Sequence, residues 1–372
     1  MSEPVTWQRE QHTKAKHELL RAFFIKWVSI HSEWFAARGG GLVRSFDGFA
    51  GPGVYAGGEP GSPVVLLEAL ASNPRLHGRW ANVEYEFQFV EKHRGRAEML
   101  EGKLADLQAG LVASGKWSER IRWTVTCGRY EDHAPSALAA PRTALFLFLD
   151  PFGYSHAPMT LTHEVIQQPK SDTLIFLPVS FVNRFRGRAG QERAMDRFFA
   201  TEEWRSIPDG PDRPAAIVAL FEEQLRRGGL RFVKGFQLLP DGGNEYWIVG
   251  GSDHPQGFAS IKEGFWAADT RNGRGYTAPI APPAGQQTLD FGASLDPGPD
   301  TAPLLALLKK TFAKRAFTVE QALELTRRSD FLETHLKRLT LAEAERAGVL
   351  RVDRPPGARQ FKEGKGITMR FT

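Results

Sequence analysis

Apolar residues recur along the chain with two periods, and the switches between them outline the elements. Leu19, Leu20, Phe23, Phe24 and Trp27 fall at helical spacing with Lys and His opposite them, which predicts a helix over 13–37. A short apolar run at 42–47 predicts a strand, and residues 85–90 alternate into Glu91 as a second one. Further strands are expected at 120–126, 144–149 and 172–179, with helices at about 63–70 and 93–112 between them. Strands alternating with helices, and ending near polar residues, predict an open α/β sheet with its ligand edge at the strand C-termini.

Residues 182–206 and 213–228 read as helices around a Pro-rich break, and 230–239 with 246–250 as an antiparallel strand pair. The stretch 182–250 is expected as a partly helical insertion or lid. A helix over 257–268 puts Phe258, Ile261, Phe265 and Trp266 on one face. Residues 269–302 are rich in Gly, Pro, Gln and Asp without periodicity, which marks a linker between domains 1–268 and 303–372. Helices expected over 303–314, 318–327 and 330–348 precede two short strands at 349–352 and 367–371 that flank a basic loop. Three helices and a basic hairpin form a winged helix-turn-helix layout.

Charge sharpens that division. The chain of 372 residues carries a net +5. Residues 301–372 hold 15 Lys/Arg and 8 Asp/Glu, so the rest, with 33 and 35, is slightly acidic. The basic excess therefore lies entirely in the last segment, as expected where one end meets a polyanion such as DNA or RNA. Lys337 and Arg338 on the third helix, with Arg354, Arg359, Lys362 and Lys365 on the wing, are the candidate nucleic-acid contacts. A single Cys excludes a disulfide framework and any multi-cysteine metal site, and fits a reducing compartment. No apolar leader or run of membrane-spanning length is present, so a soluble cytoplasmic protein with no membrane partner is expected.

The candidate chemistry lies at the strand ends. The first strand ends in Asp47 and is followed at once by Gly48, Gly51 and Gly53, a turn where backbone approaches a ligand closely. The loop continues through 57–63 before its helix, with Ser62 as N-cap and Pro63 at the first helical position. Glu91, at the tip of the second strand, is placed to accept ribose hydroxyls, and Asp132 or the Gly128 backbone to hold an adenine edge. Acids at both strand tips suit an ammonium and a ribose better than a pyrophosphate, which favours S-adenosylmethionine (SAM) over NAD. Asp150-Pro151-Phe152-Gly153 supplies an acceptor for amino hydrogens, a rigid carbonyl and an aromatic face for a flipped base. Cys127 reads as a packing residue at a strand end, and the histidines lack metal-ligand spacing.

Residues 46–55 (FDGFAGPGVY), 58–63 (GEPGSP), Glu91 and 148–153 (FLDPFG) together resemble the three-Cys-motif partner family of bacterial proteins. The resemblance covers 13–268. It implies a Rossmann-like class I methyltransferase fold and a partner protein with a three-cysteine, radical-enzyme-like motif. The Asp-Pro-Phe-Gly tetrad is also similar to that of tRNA guanine-N2 dimethyltransferases. It departs from the Asp-Pro-Pro-Tyr form of adenine-N6 enzymes at Phe152, which leaves guanine or another amine open. The expectation is a SAM-dependent N-methyltransferase acting on an exocyclic base amine of nucleic acid. The alternatives are a non-catalytic Rossmann-fold partner of the three-cysteine enzyme and a ligand-sensing winged-helix DNA-binding protein.

Overall fold

The computed structural model describes residues 6–7, 11–137, 142–151, 153–185, 188, 190–239, 245–277, 298–313, 315–358 and 360–372. It comprises two compact units, Met1–Gly264 with Gly275–Ile280 and Phe265–Arg274 with Ala281–Thr372.

The first unit opens with α1 (Gln11–Ala36) and β1 (Gly41–Asp47), then α2 (Ser62–Ala71), β2 (Val83–Glu91), α3 (Arg94–Ala113) and β3 (Ile121–Cys127). A one-turn α4 (Tyr130–His133), β4 (Thr143–Leu149), α5 (Met159–Ile166), β5 (Ser171–Leu177) and α6 (Val179–Phe185) follow. The unit continues through α7 (Glu192–Phe199), α8 (Arg213–Arg227), β6 (Phe232–Leu239), β7 (Tyr246–Ser252), α9 (Pro255–Ala268) and β8 (Gly275–Thr277). The eight strands form one sheet in the order β3-β2-β1-β4-β5-β7-β6-β8. Among them β7 alone runs against the rest, antiparallel to both β5 and β6. This is the expected open, mostly parallel α/β sheet with its antiparallel pair.

Position in the sheet explains the sequence pattern. β4 and β5 are buried along their whole length, and so read as unbroken apolar runs. β3, at the edge, is largely open on one side. The apolar stripe of α1 lies on the sheet, with Phe23 and Trp27 ring to ring with Phe146 at 5.2 and 5.4 Å. The stretch 182–250, expected as a partly helical insertion or lid, has described residues that pack on the sheet and extend it. Met195, Phe198, Phe221 and Leu225 share one buried cluster with Phe46, Leu147 and Ile175 of the sheet, and β6 and β7 are sheet strands. The helix expected through 182–206 is broken: α6 and α7 are separate, and residues 203–206 form a 3-10 turn. α5 and β8 carried no periodicity long enough to announce them.

The second unit contains α10 (Ala302–Thr311), β9 (Phe317–Thr318), α11 (Val319–Arg328), a π-wound turn His335–Leu341 running into α12 (Ala342–Arg346), β10 (Leu350–Asp353) and β11 (Thr368–Phe371). Its strands form an antiparallel sheet in the order β10-β11-β9. Thr318 and Gln321 make a reciprocal capping box that fixes the start of α11. Trp266, from the end of α9, belongs to this unit's core and donates its indole N–H to the Asp330 carbonyl at 2.9 Å.

Candidate functional site

The C-terminal ends of β1, β2 and β3 surround a cavity of about 540 Å³. Each strand contributes the residues at and just beyond its tip: Gly48 and Phe49, then Glu91, Lys92 and His93, then Gly128 to Glu131. Arg96 of α3, Arg197 of α7, His156 and Trp7 complete the wall. The Arg96 guanidinium is buried and lies 4.3 Å from the centre of the Trp7 ring. The cavity sits beside the point where the strand order reverses between β1 and β4, the usual ligand position in such a sheet.

The glycine turn after β1 is built around Glu91. Gly51 and Gly53 have φ of +65° and +73°, a region costly for residues with a Cβ. The Gly51 N–H donates to Glu91 Oε2 at 3.0 Å, and the His93 N–H to Oε1 at 2.7 Å. Ala50 N–H is held by the Val90 carbonyl at 2.9 Å, which ties the turn to the end of β2. The 57–63 segment folds back on this turn: Val54 bridges Pro60, and Gly61 N–H donates to the Gly53 carbonyl at 2.9 Å. Gly48 is needed for space. A Cβ there would lie 2.6 Å from the Tyr130 ring and 2.8 Å from Leu149. Gly48→Ala is therefore expected to destabilise the protein by about 2 kcal/mol, as overpacking does, and to push Tyr130 off the cavity wall. Urea unfolding and tyrosine fluorescence would read both effects.

Three carboxylates end adjacent strands, each in a different setting. Glu91 is on the cavity wall and only 4% exposed. Asp47 is wholly buried behind the turn, accepting from the Phe49 N–H at 3.0 Å and from Ser62 Oγ at 2.9 Å. Burial pushes its carboxyl up to about 7, against the two hydrogen bonds and with help from the charges of Asp150 and Glu91. Ser62 thus braces Asp47 instead of capping α2, whose N-cap is Gly61. Asp150, at the end of β4, is ion-paired with Lys16 of α1, whose ammonium lies 4.2 Å from the centre of the Phe176 ring.

Of the residues singled out from sequence, Gly48, Glu91 and Gly128 therefore reach the cavity. Asp47, Gly51 and Gly53 support it from behind. Asp132 is exposed on α4 and is not among the residues that line the cavity, while its neighbour Glu131 lines it and pairs with Arg197 at 2.9 Å. Pro151 is buried, and Phe152 lies outside the described residues. Cys127 is exposed, not packed, because β3 is the sheet edge. Among the described residues no group of three or more His, Cys, Asp or Glu is placed to hold a metal. No helix of the described residues is long and apolar enough to cross a membrane.

In the second unit Arg354 makes a two-pronged ion pair with Glu345 and lies 5.1 Å from the centre of the Phe361 ring, so it holds the hairpin to α12. Lys337 lies 3.9 Å from Glu363. Arg338, Lys362 and Lys365 are exposed, and Arg359 lies outside the described residues.

Sequence reasoning missed Lys92, His93, Arg129 and Tyr130, although their position immediately after strand tips was a usable signal. Arg197 and Trp7 carried none, because only the fold brings them to the sheet edge.

No protein-family model matches the chain, and no curated protein does. Among solved structures it is similar to the O-methyltransferase TomG from Streptomyces achromogenes in complex with SAM. That match has 18% identity over 60% of this chain and 78% of that one, with a TM-score of 0.32. An O-methyltransferase from Bacillus cereus in complex with SAH is 12% identical over 60% and 79%, also at 0.32. The delta-N METTL16 methyltransferase domain is 13% identical over 63% and 83%, at 0.28. Likeness at this level fixes neither substrate nor activity.

Proposed function

We propose that the chain is a SAM-dependent N-methyltransferase acting on an exocyclic base amine of nucleic acid. The observation that carries this reading is Glu91, a buried carboxylate at the tip of the second strand that lines the cavity beside the glycine turn. Each of its oxygens accepts one backbone N–H, which leaves a second lone pair on each for a ribose hydroxyl. Phe49 and Tyr130 offer aromatic surface for adenine on the same wall. SAM, when bound, supplies the electrophilic methyl group. The protein's part is orientation: Asp150 accepts the amine hydrogens, and Pro151 with Phe152 presents a carbonyl and a ring to the base. Asp47, Gly51 and Gly53 shape the turn without needing to touch the cofactor.

The second unit is read as a winged helix. Its exposed Arg338, Lys362 and Lys365, with Lys337 and Arg359, would draw in the polyanion, while Arg354 keeps the wing in place. A second reading is favoured by the Lys16–Asp150 pair, since the acceptor carboxylate is already engaged. In it the chain is a non-catalytic Rossmann-fold partner of a three-cysteine radical-type enzyme.

Calorimetric titration with S-adenosylhomocysteine (SAH), followed by a labelled-methyl screen of DNA, tRNA and rRNA, tests both readings. Binding with transfer supports the enzyme, binding without transfer the partner, and no binding sinks the methyltransferase reading. Glu91→Ala is expected to weaken SAH about a hundredfold, the loss of roughly 3 kcal/mol of charged hydrogen bonds. It should also lower stability by about 2 kcal/mol, because the Gly51 and His93 N–H groups lose their acceptor.

A further inference from the structure

The mouth of the cavity carries more positive charge than an adenosine needs. Lys92 follows the tip of β2 and Arg129 follows that of β3, and both are exposed where they line the cavity. Neither has an ion-pair partner among the described residues. Of the two acids that line the cavity, Glu131 is held by Arg197 at 2.9 Å and Glu91 is turned inward to backbone N–H groups. His156, from the loop after β4, completes a convergence of three groups from three strand ends. Its imidazole is driven toward the neutral form by partial burial and by the Lys92 and Arg129 charges, with Glu131 opposing. Cations held together without counter-charge repel one another, and an anion placed between them relieves that repulsion. The adenosine part of SAM carries no such anion.

We propose that Lys92 and Arg129 hold a backbone phosphate of a single-stranded nucleic acid at the mouth of the cavity, so that the α/β unit grips the substrate itself. This rests on the methyltransferase reading for the cavity's occupant, and it adds a contact on the first unit to those of the basic second unit. The phosphate is held at the mouth and the target base turns toward the end of β4, where Asp150 accepts its amine. The arrangement suits a strand whose target base is turned out of its stack, since such a base must be carried by its own backbone.

The test uses the full-length protein and a fluorescein-labelled single-stranded RNA of mixed sequence, with DNA of the same sequence. Anisotropy is followed across a salt series at saturating SAH. Lys92→Glu with Arg129→Glu should weaken the strand about tenfold and reduce the slope of log affinity against log salt by about 0.7, as for one lost phosphate contact on a single strand. Lys92→Gln with Arg129→Gln should give the same change of slope with a smaller loss, and guards against a folding defect in the charge reversal. Calorimetry on the same variants gives the SAH affinity, which should stay within about twofold of the wild type's while the strand is weakened. Unchanged strand affinity and slope, or no strand binding by the wild type, would overturn the proposal. So would a loss confined to SAH, which would assign the two cations to the cofactor. Displacement of the strand by adenosine 5′-monophosphate at equal phosphate concentration would assign the phosphate to a nucleotide ligand and likewise overturn it. If the wild type binds the strand but no SAH, the methyltransferase reading fails while the phosphate contact is still decided by the salt slope.

Discussion

Replacing Asp150 with alanine should slow methyl transfer about a thousandfold while leaving SAH affinity within roughly threefold, the pattern of a group that orients the acceptor amine and not the cofactor. The physical reason is its place at the end of β4. Its side chain is a third exposed, so a substrate amine can reach it, and it does not line the cavity that Glu91 faces. Lys16 must share that carboxylate, and its removal will be felt. An ammonium only 14% exposed then keeps the Phe176 ring but no carboxylate, a loss of about 1 kcal/mol for a pair this accessible. Lys16→Ala is the matching control, lowering stability to a similar extent without abolishing transfer. Single-turnover methylation beside SAH calorimetry separates the outcomes. Parallel loss of transfer and SAH affinity would move Asp150 into the cofactor site. Undiminished transfer would place the acceptor amine elsewhere.

Asp47→Asn should stabilise the protein at pH 8 by several kcal/mol and leave it nearly unchanged at pH 4. The wild-type carboxyl titrates at about 7 in the folded protein, against an ordinary value of 3.8. Because the folded value is raised, the contribution to stability is fully present below the unfolded value. It is lost as pH rises through the folded one, since only the unfolded chain gives up its proton between them. The window is therefore pH 4 to 7, and the loss across it is about 4 kcal/mol. Asparagine never ionises. Its carbonyl can keep the Phe49 N–H, and the Ser62 hydroxyl can rotate to accept from its amide. Urea unfolding of both proteins from pH 4 to 8 should give curves that diverge upward in pH. Parallel curves would show that Asp47 is ionised throughout, stabilised by its two donors.

Those two aspartates mark how far the sequence reaches. Both stood out because a carboxylate ends an apolar run, a local feature. Whether such an acid faces a ligand, a lysine or the core is not local. Asp47 is buried because the 57–63 loop returns over it and Ser62 closes on it, and Asp150 is engaged because α1 crosses the sheet edge from more than a hundred residues away. Asp132 and Glu131 show the same limit at one-residue resolution. A single turn of helix decides which of two adjacent acids meets the cavity, and nothing in their order records it.

By itself the sequence determined the α/β class, the strands from β1 to β5, the antiparallel pair and the helices of the basic C-terminal segment. Their signals are periodicity and strand-end chemistry, set by which residues a helix or a strand can bury. It also determined where Glu91 stands, because the acid at the second strand's tip lies at the ligand edge of a parallel sheet. Only the tertiary structure decided that Met195, Phe198, Phe221 and Leu225 join the core, since helices too short or too mixed to show a clear face become apolar layers once the sheet offers a surface. It alone brought Trp7, Arg96, His156 and Arg197 to one cavity. They come from segments far apart in the chain, and a side chain's partners across such distances follow from packing, which no local pattern encodes.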